Sequence, residues 1–360
     1  MTKRIRVLVV EDSLTVRKRL LDVIAGDPEL ELVGEAEDGK RAIELCRQTH
    51  PDVITMDMMM PAMSGLSATE YIMAHCPTPI LVVSASINRG ELFKIYEALA
   101  AGAVDVLEKP IGLEAAGAWE RRFLVALKRV ARIRVITHPR ARLAGRGAER
   151  PAGDISPPES RTAFEVVAIG ASTGGPAAIL QILRGLPVDF RLPILLALHI
   201  NEPFCSAFAD WLDAQTSRRV LHGCEGMPVA AAAGHVVVAP GGRHMVVSDG
   251  ILRLTRDAER HSCRPSVDVL FESVATYYGA AAIGCLLTGM GRDGALGLLQ
   301  IRQAGGFTIA QDEASCIVYG MPREAALIDA ASQMLPLGDI GPRLGALQSA
   351  RRGSPLKALA

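Results

Sequence analysis

At 360 residues, with 49% hydrophobic and 22% charged residues, the chain is long enough for two or three globular domains, which excludes a largely disordered or fibrous protein. Its 39 lysines and arginines balance 39 aspartates and glutamates, so no global field exists to hold nucleic acid or an anionic membrane. Apolar stretches such as Val7 to Val10 and Ala280 to Thr288 fall well short of the roughly 18 residues a spanning helix needs. Lys3 and Arg4 run straight into a strand-like segment without a secretory h-region, so a cytoplasmic protein with no membrane insertion is expected. Seven scattered cysteines without a C-x-x-C pair argue against a disulfide framework or zinc site and are read as reduced core residues.

In chain order, short apolar runs at Ile5–Val10, Leu30–Ala36, Val53–Met56, Ile80–Ser84 and Val104–Leu107 each precede a helix-like stretch. That alternation predicts a parallel sheet wrapped by helices. A last amphipathic helix is expected from Leu113 to about Arg134. Arg121 to Arg150 then carries ten basic residues against one acidic residue, Glu149, and the composition turns to Pro, Gly and Ser, the mark of a surface linker over about 135–162. The second half resumes with strands at Glu165–Ile169, Pro193–Leu198, Ala282–Leu287 and Phe307–Ala310, again alternating with helices. Between them His235–Ala239, Met245–Ser248 and Ile251–Leu254 predict a small antiparallel insert, with Asp249–Gly250 as its hairpin turn.

In a parallel α/β domain, chemistry gathers where the strands end. The first strand ends in Glu11–Asp12, the third in Asp57, the fourth in Ser84 and the fifth in Lys109–Pro110. Three converging acids repel one another unless a cation sits among them, and oxygen ligands of this kind suit Mg²⁺. A carboxylate in such a pocket can act as a nucleophile toward phosphorus, with Lys109 and Ser84 left to hold phosphoryl oxygens. With Val-Glu-Asp-Ser at 10–13, Met-Asp-Met-Met-Met-Pro-Ala-Met-Ser-Gly at 56–65, Val-Ser-Ala at 83–85 and Glu-Lys-Pro at 108–110, residues 4 to about 130 resemble the receiver domain of two-component response regulators. The resemblance implies a flavodoxin-like fold with Asp57 as phosphoacceptor. It also implies that Glu11, Asp12, Asp57 and the Met59 carbonyl hold Mg²⁺, that Ser84 and Lys109 sense the phosphate, and that a histidine kinase donates it. Val106 stands where such domains often carry an aromatic switch.

In the second half, Gly170-Ala171-Ser172-Thr173-Gly174-Gly175-Pro176 follows a strand and opens a helix. Gly170-x-Ser172-x-Gly174 fits a nucleophile elbow, in which small neighbours permit the sharp turn that lifts a serine above the sheet edge; an N-cap serine or a phosphate cradle fits it too. His199 ends a neighbouring strand, whereas His222, His235, His244 and His261 lack this placement. Asp293 lies just beyond a third strand, completing a Ser, His, Asp set in an order different from that of α/β-hydrolases. A rival reading takes Gly289-x-Gly291-x-x-Gly294, with Asp312 and Glu313 about 20 residues on, as a dinucleotide fingerprint.

Further motifs favour the hydrolase. Ile-Gly-Ala-Ser-Thr-Gly-Gly-Pro at 169–176, Ala-Pro-Gly-Gly-Arg-His at 239–244, Arg-Pro-Ser-Val-Asp-Val-Leu-Phe at 264–271 and Leu-Thr-Gly-Met-Gly-Arg-Asp-Gly at 287–294 make residues 163 to about 348 resemble the catalytic domain of the chemotaxis protein-glutamate methylesterase family. The implied organisation is a receiver domain at 1–134, a linker at 135–162, a doubly wound, mostly parallel α/β methylesterase domain at 163–350 and a tail at 351–360. The implied roles are Ser172 nucleophile, His199 general base, Asp293 its orienter and the Met290 N–H an oxyanion donor, with no cofactor for the esterase. The implied substrates are glutamate γ-methyl esters, and in the family also glutamines, on chemoreceptor cytoplasmic domains. The resemblance further implies that the unphosphorylated receiver obstructs the Ser172 cleft. After the base, Ile200-Asn201-Glu202-Pro203 departs from the family's usual Met-Pro-Pro. No helix-turn-helix or basic recognition helix is found, so a nucleic-acid partner is not expected.

Overall fold

The structure is a computed structural model that describes residues 3–85, 89–110, 117–133, 135, 163–200 and 204–350. The linker expected at 135–162 (all but Val135), the tail at 351–360 and the altered segment at 201–203 lie outside the described residues, as does the expected start of the helix from Leu113. The chain divides into two compact units, Met1–Glu149 and Arg150–Ala360.

The first unit runs β1 (Ile5–Val10), α1 (Leu14–Ala25), β2 (Leu30–Ala36), α2 (Gly39–Thr49), β3 (Val53–Met56), α3 (Gly65–His75), β4 (Ile80–Ser84), α4 (Arg89–Ala101), β5 (Asp105–Glu108) and α5 (Ala118–Val130). The strands pair in parallel in the order β2-β1-β3-β4-β5. The central strands β3 and β4 are buried along their whole length, as sequences without polar alternation must be when helices cover both faces. β5 lies one residue later than expected, and α5 closes on it through a Trp119 Nε1–H bond to the Glu108 carbonyl (2.7 Å). Because the chain leaves β1 for β2 on one side and β3 on the other, a crevice opens above their carboxyl ends.

The second unit runs β6 (Val166–Ala171), α6 (Gly175–Gly185), β7 (Ile194–Leu198), α7 (Phe204–Gln215), β8 (Val220–His222), β9 (Val236–Val238), β10 (His244–Ser248), β11 (Ile251–Thr255), α8 (Val267–Tyr278), β12 (Ala282–Leu286), α9 (Ala295–Gln303), β13 (Phe307–Gln311), α10 (Met321–Leu327), β14 (Gln333–Leu335) and α11 (Leu337–Ala350). Seven strands form a parallel sheet in the order β14-β13-β12-β6-β7-β9-β8. The switch point falls at β6, between β7 and β12.

Two expectations change here. The segment His235–Ala239 is not part of the antiparallel insert: β9 pairs in parallel with β7 and β8, buried at Val236, Val237 and Val238. Only β10 and β11 form the antiparallel pair, joined by Asp249 and Gly250 at φ 53° and 74°, as a type I′ hairpin requires. The edge strands β8 and β14 are not among the expected elements, since three residues carry no readable alternation.

Candidate functional site

In the first unit, β1 and β3 deliver Glu11, Asp12 and Asp57 to the crevice, with carboxylate oxygens within 4.8 Å of one another. Glu11 and Asp57 are buried and Asp12 is exposed. Lys109 reaches in from the end of β5, its Nζ 2.9 Å from Glu11 Oε1 and 3.0 Å from Asp57 Oδ2. Glu11 Oε2 is as close, at 2.8 Å, but lies outside hydrogen-bonding alignment. Burial pushes the Glu11 carboxyl up to about 7, aided by the Asp57 charge and opposed by Lys109. Burial raises Asp57 too, against Lys109 and the Met58 N–H. For Lys109, burial works against the charged form, but Glu11 and Asp57 outweigh it and hold its proton above the ordinary range.

The Lys109 N–H bonds the Ser84 carbonyl (3.0 Å), fixing the ends of β4 and β5 together. Ser84 is buried beside them, while Met59, two residues past Asp57, is 42% exposed at the pocket rim. Gly65 is obligatory: a Cβ there would meet the Asp57 carbonyl oxygen at 1.9 Å. Val106 sits half-buried in β5, opposite Val82. Three carboxylates against one ammonium leave two negative charges uncompensated, an all-oxygen donor set that fits a divalent cation.

In the second unit, strand register assembles the site. Ala171 of β6 pairs with Leu198 of β7, and the His199 N–H donates to the Ala171 carbonyl (3.1 Å), so Ser172 and His199 leave the sheet side by side. On the other flank Gly170 pairs with Leu286, and the Ser172 N–H donates to the Thr288 carbonyl (3.0 Å). His199 Nε2 lies 2.7 Å from Asp293 Oδ2. Asp293 is 1% exposed and sits on the N-terminus of α8: its Oδ1 accepts from Ser266 Oγ (2.7 Å) and the Asp268 N–H (3.0 Å), its Oδ2 from the Val267 N–H (2.7 Å). Such donors favour the anion. Burial opposes ionisation of Asp293, but His199, Ser266 and Val267 together hold the carboxyl below its usual range. Burial likewise works against a charged His199, yet Asp293 foremost, with Cys263, pushes the imidazole up to about 9. No Ser172–His199 hydrogen bond is present among the described residues; with Nε2 committed to Asp293, Nδ1 is the nitrogen left for the serine.

The loop after β12 closes the site. Gly289 packs on Ser172 so tightly that a Cβ would lie 2.7 Å from the Ser172 Cβ. Its N–H and carbonyl are pinned by the Val318 carbonyl (3.1 Å) and the Met321 N–H (2.8 Å), which leaves Met290 53% exposed at the apex. The dinucleotide reading fails on charge: Asp293, in the middle of the would-be phosphate loop, is a buried carboxylate. Asp312 is spent capping the Glu313–Ser315 turn.

Fold and site together define a two-unit parallel α/β protein, one unit with an acidic, lysine-bridged pocket, the other with a carboxylate-held histidine beside a strand-end serine. The profile of the CheB methylesterase family matches residues 167–344 and that of the response regulator receiver domain residues 7–116. The chain is 44% identical to protein-glutamate methylesterase/protein-glutamine glutaminase 2 of Pseudomonas aeruginosa, over 97% of this chain and 98% of that one. It is 42% identical to the enzyme of the same description from Anaeromyxobacter dehalogenans, over 93% and 95%. The crystal structure of the Thermotoga maritima CheB methylesterase catalytic domain shares 32% identity over 52% of this chain and all of that one, with a TM-score of 0.49. The chain belongs to the protein-glutamate methylesterase family of response regulators.

Several contributors carry no signal in the sequence. Ser266 and Asp268 lie in the motif at 264–271, whose residue types alone assign neither a role. Thr288 is buried, bonding the Thr173 carbonyl (3.0 Å) through its hydroxyl and Gln311 Oε1 (2.8 Å) through its N–H, so it ties the serine turn to β13. The cysteines are all free, but only Cys46, Cys205 and Cys285 are buried; Cys224 is exposed. Reading all seven as core residues is therefore incorrect, because a cysteine's size and apolarity do not reveal which face of a turn it takes. No helix among the described residues is long and apolar enough to cross a membrane.

Proposed function

We propose that this chain hydrolyses glutamate γ-methyl esters on the cytoplasmic helices of chemoreceptors, releasing methanol, and deamidates glutamines at equivalent positions. Ser172 Oγ attacks the ester carbonyl as His199 takes its proton, and Asp293 holds the resulting imidazolium. The Met290 N–H receives the tetrahedral oxyanion. His199 returns the proton to the departing methanol, then activates the water that cleaves the acyl-serine. The observation carrying this reading is the 2.7 Å His199–Asp293 bond, seated on α8 and flanking Ser172 by strand register. Ser172→Ala is expected to abolish methanol release from methyl-labelled receptor while the protein stays folded; near wild-type release would overturn it.

In the first unit Asp57 accepts a phosphoryl group from a kinase histidine: its oxygen forms the new P–O bond as the P–N bond breaks, and Lys109 and Ser84 hold the phosphoryl oxygens. Glu11, Asp12, Asp57 and the Met59 carbonyl are the groups that would hold Mg²⁺, which when bound neutralises charge on the transferred phosphoryl group. Receiver 1–134, linker 135–162, esterase 163–350 and tail 351–360 are the corresponding parts. A cytoplasmic site of action follows from the substrate.

A further inference from the structure

Ahead of α8 the chain makes a tight two-residue turn. Arg260 and Cys263 exchange backbone hydrogen bonds at 3.2 and 2.9 Å, and the residues between them, His261 and Ser262, both take left-handed backbone at φ 52° and 59°. Neither is glycine, so this conformation is strained and persists only because its surroundings enforce it. Side-chain bonds fix it in place: His261 Nε2 lies 3.1 Å from Asp268 Oδ2, and Arg292 Nε donates to His261 Nδ1 at 3.4 Å. Arg260 is anchored on Glu272 (2.6 Å). The turn is thus clamped to the helix whose N-terminus holds Asp293 and to the residue preceding Asp293.

What this turn presents is Cys263. Its Sγ, the His199 nitrogen and the Asp293 oxygen all lie within 4.8 Å of one another. The thiol donates to the His261 carbonyl at 3.4 Å, so its proton is not needed toward the imidazole and the sulfur can serve as an acceptor there. A sulfur placed so is a weak acceptor for an imidazolium N–H.

We propose that Cys263 is a positioning residue for the esterase, a second acceptor beside Asp293 that steadies the His199 imidazolium as it forms. The proposal rests on the catalytic reading of His199 given above. Other charged or polar groups around the ring are Asp293 itself, Asp268 behind it, Arg260 and Arg292 on the turn and loop, and the His261 imidazole, whose Nδ1 accepts from Arg292. Asp293 and Cys263 both favour the charged form of the ring against burial.

The test uses the full chain with Cys263→Ala, with Cys263→Val, which keeps volume without an acceptor, and with Cys263→Ser, which restores one. Two readouts are taken: the pH profile of kcat/KM for receptor methyl-ester hydrolysis, and the NMR titration of the His199 ring, assigned with His199→Gln. In Ala and Val the His199 midpoint is expected to fall by about half to one pH unit and kcat above the midpoint by about three- to tenfold, the value of one hydrogen bond. Ser should return both toward wild type, with thermal midpoints alike. An unchanged midpoint in Ala and Val, or Ser behaving as Ala does, overturns the proposal. The ring titration decides it even without esterase activity, a result that would instead refute the catalytic reading.

Discussion

Asp293 shows how single groups divide the work at the residue scale. Its carboxylate meets four donors: a histidine ring, a hydroxyl and two helix N–H groups. Asp293→Asn removes the charge but little volume, so on the proposed mechanism a small residue of esterase activity is expected to survive, because Ser172 and His199 remain while the tautomer and orientation of the ring are lost; initial rates of methanol release check this. With His199 pushed up to about 9, the neutral base becomes abundant only as pH rises, so kcat/KM should climb from pH 7 toward 9 rather than level off near 6.5. The linked stability has the opposite sense. A raised histidine pKa stabilises the fold fully below its ordinary value and loses that contribution as pH passes through the folded-state value, so urea midpoints should decline over the same interval. His244 is a contrasting case. It is buried, accepting the Ser266 N–H through Nδ1 (3.1 Å) and bonding the Ala258 carbonyl through Nε2 (3.1 Å). His244→Ala should therefore cost about 1–3 kcal/mol of stability, by stranding a buried N–H, more than it costs chemistry.

Among the elements, α8 carries the most consequence. Its N-cap Ser266 accepts the Val269 N–H (3.3 Å) and donates to Asp293 (2.7 Å), so one hydroxyl both starts the helix and seats the carboxylate proposed to orient His199. Ser266→Ala should lower stability by about 1 kcal/mol as a lost cap and also lower kcat, a pairing that an ordinary capping mutation would not show. The loop after β12 is equally constrained. A Cβ at Gly289 would lie 2.3 Å from Met321 Sδ and 2.7 Å from Ser172 Cβ, so Gly289→Ala must displace the loop that carries Met290, the proposed oxyanion donor. A loss of about 10²-fold in kcat is expected, comparable with removing one oxyanion donor, with KM less affected; steady-state kinetics separate the two.

For the molecule as a whole, two sheets each gather their polar residues at a switch point, one for phosphoryl transfer and one for acyl transfer. With a small phosphodonor and a divalent cation, the full chain is expected to gain one acid-stable, base-labile phosphoryl group, and Asp57→Asn to gain none, as intact mass will show. Because both units belong to one chain, any docking between them is intramolecular, so even a modest interface would suffice for control. A fragment beginning near Arg161 should hydrolyse receptor esters faster than the unphosphorylated full chain, and phosphodonor should narrow the gap. A shift of about 1.4 kcal/mol changes a small open fraction nearly tenfold. Equal rates on one receptor preparation would refute such control.

Nearly all central strands are legible in the amino-acid sequence, because a strand covered on both faces must be a continuous apolar run, and Ser172, His199, Asp293, Glu11, Asp57 and Lys109 stand at or just beyond the ends of such runs. Short edge strands such as β8 and β14 are not, since three residues leave no period to read. The parallel placement of Val236–Val238 depends on which neighbour pairs with it, a long-range choice that local pattern does not encode. The same holds for the donors around Asp293. Ser266, Val267 and Asp268 lie 27, 26 and 25 residues away along the chain and meet it only because α8 points its N-terminus at the loop after β12. Whether Cys263 is core or site is likewise decided by a turn whose left-handed residues are neither glycine nor asparagine, held by His261, Asp268 and Arg292 in contacts that exist only once the chain is folded.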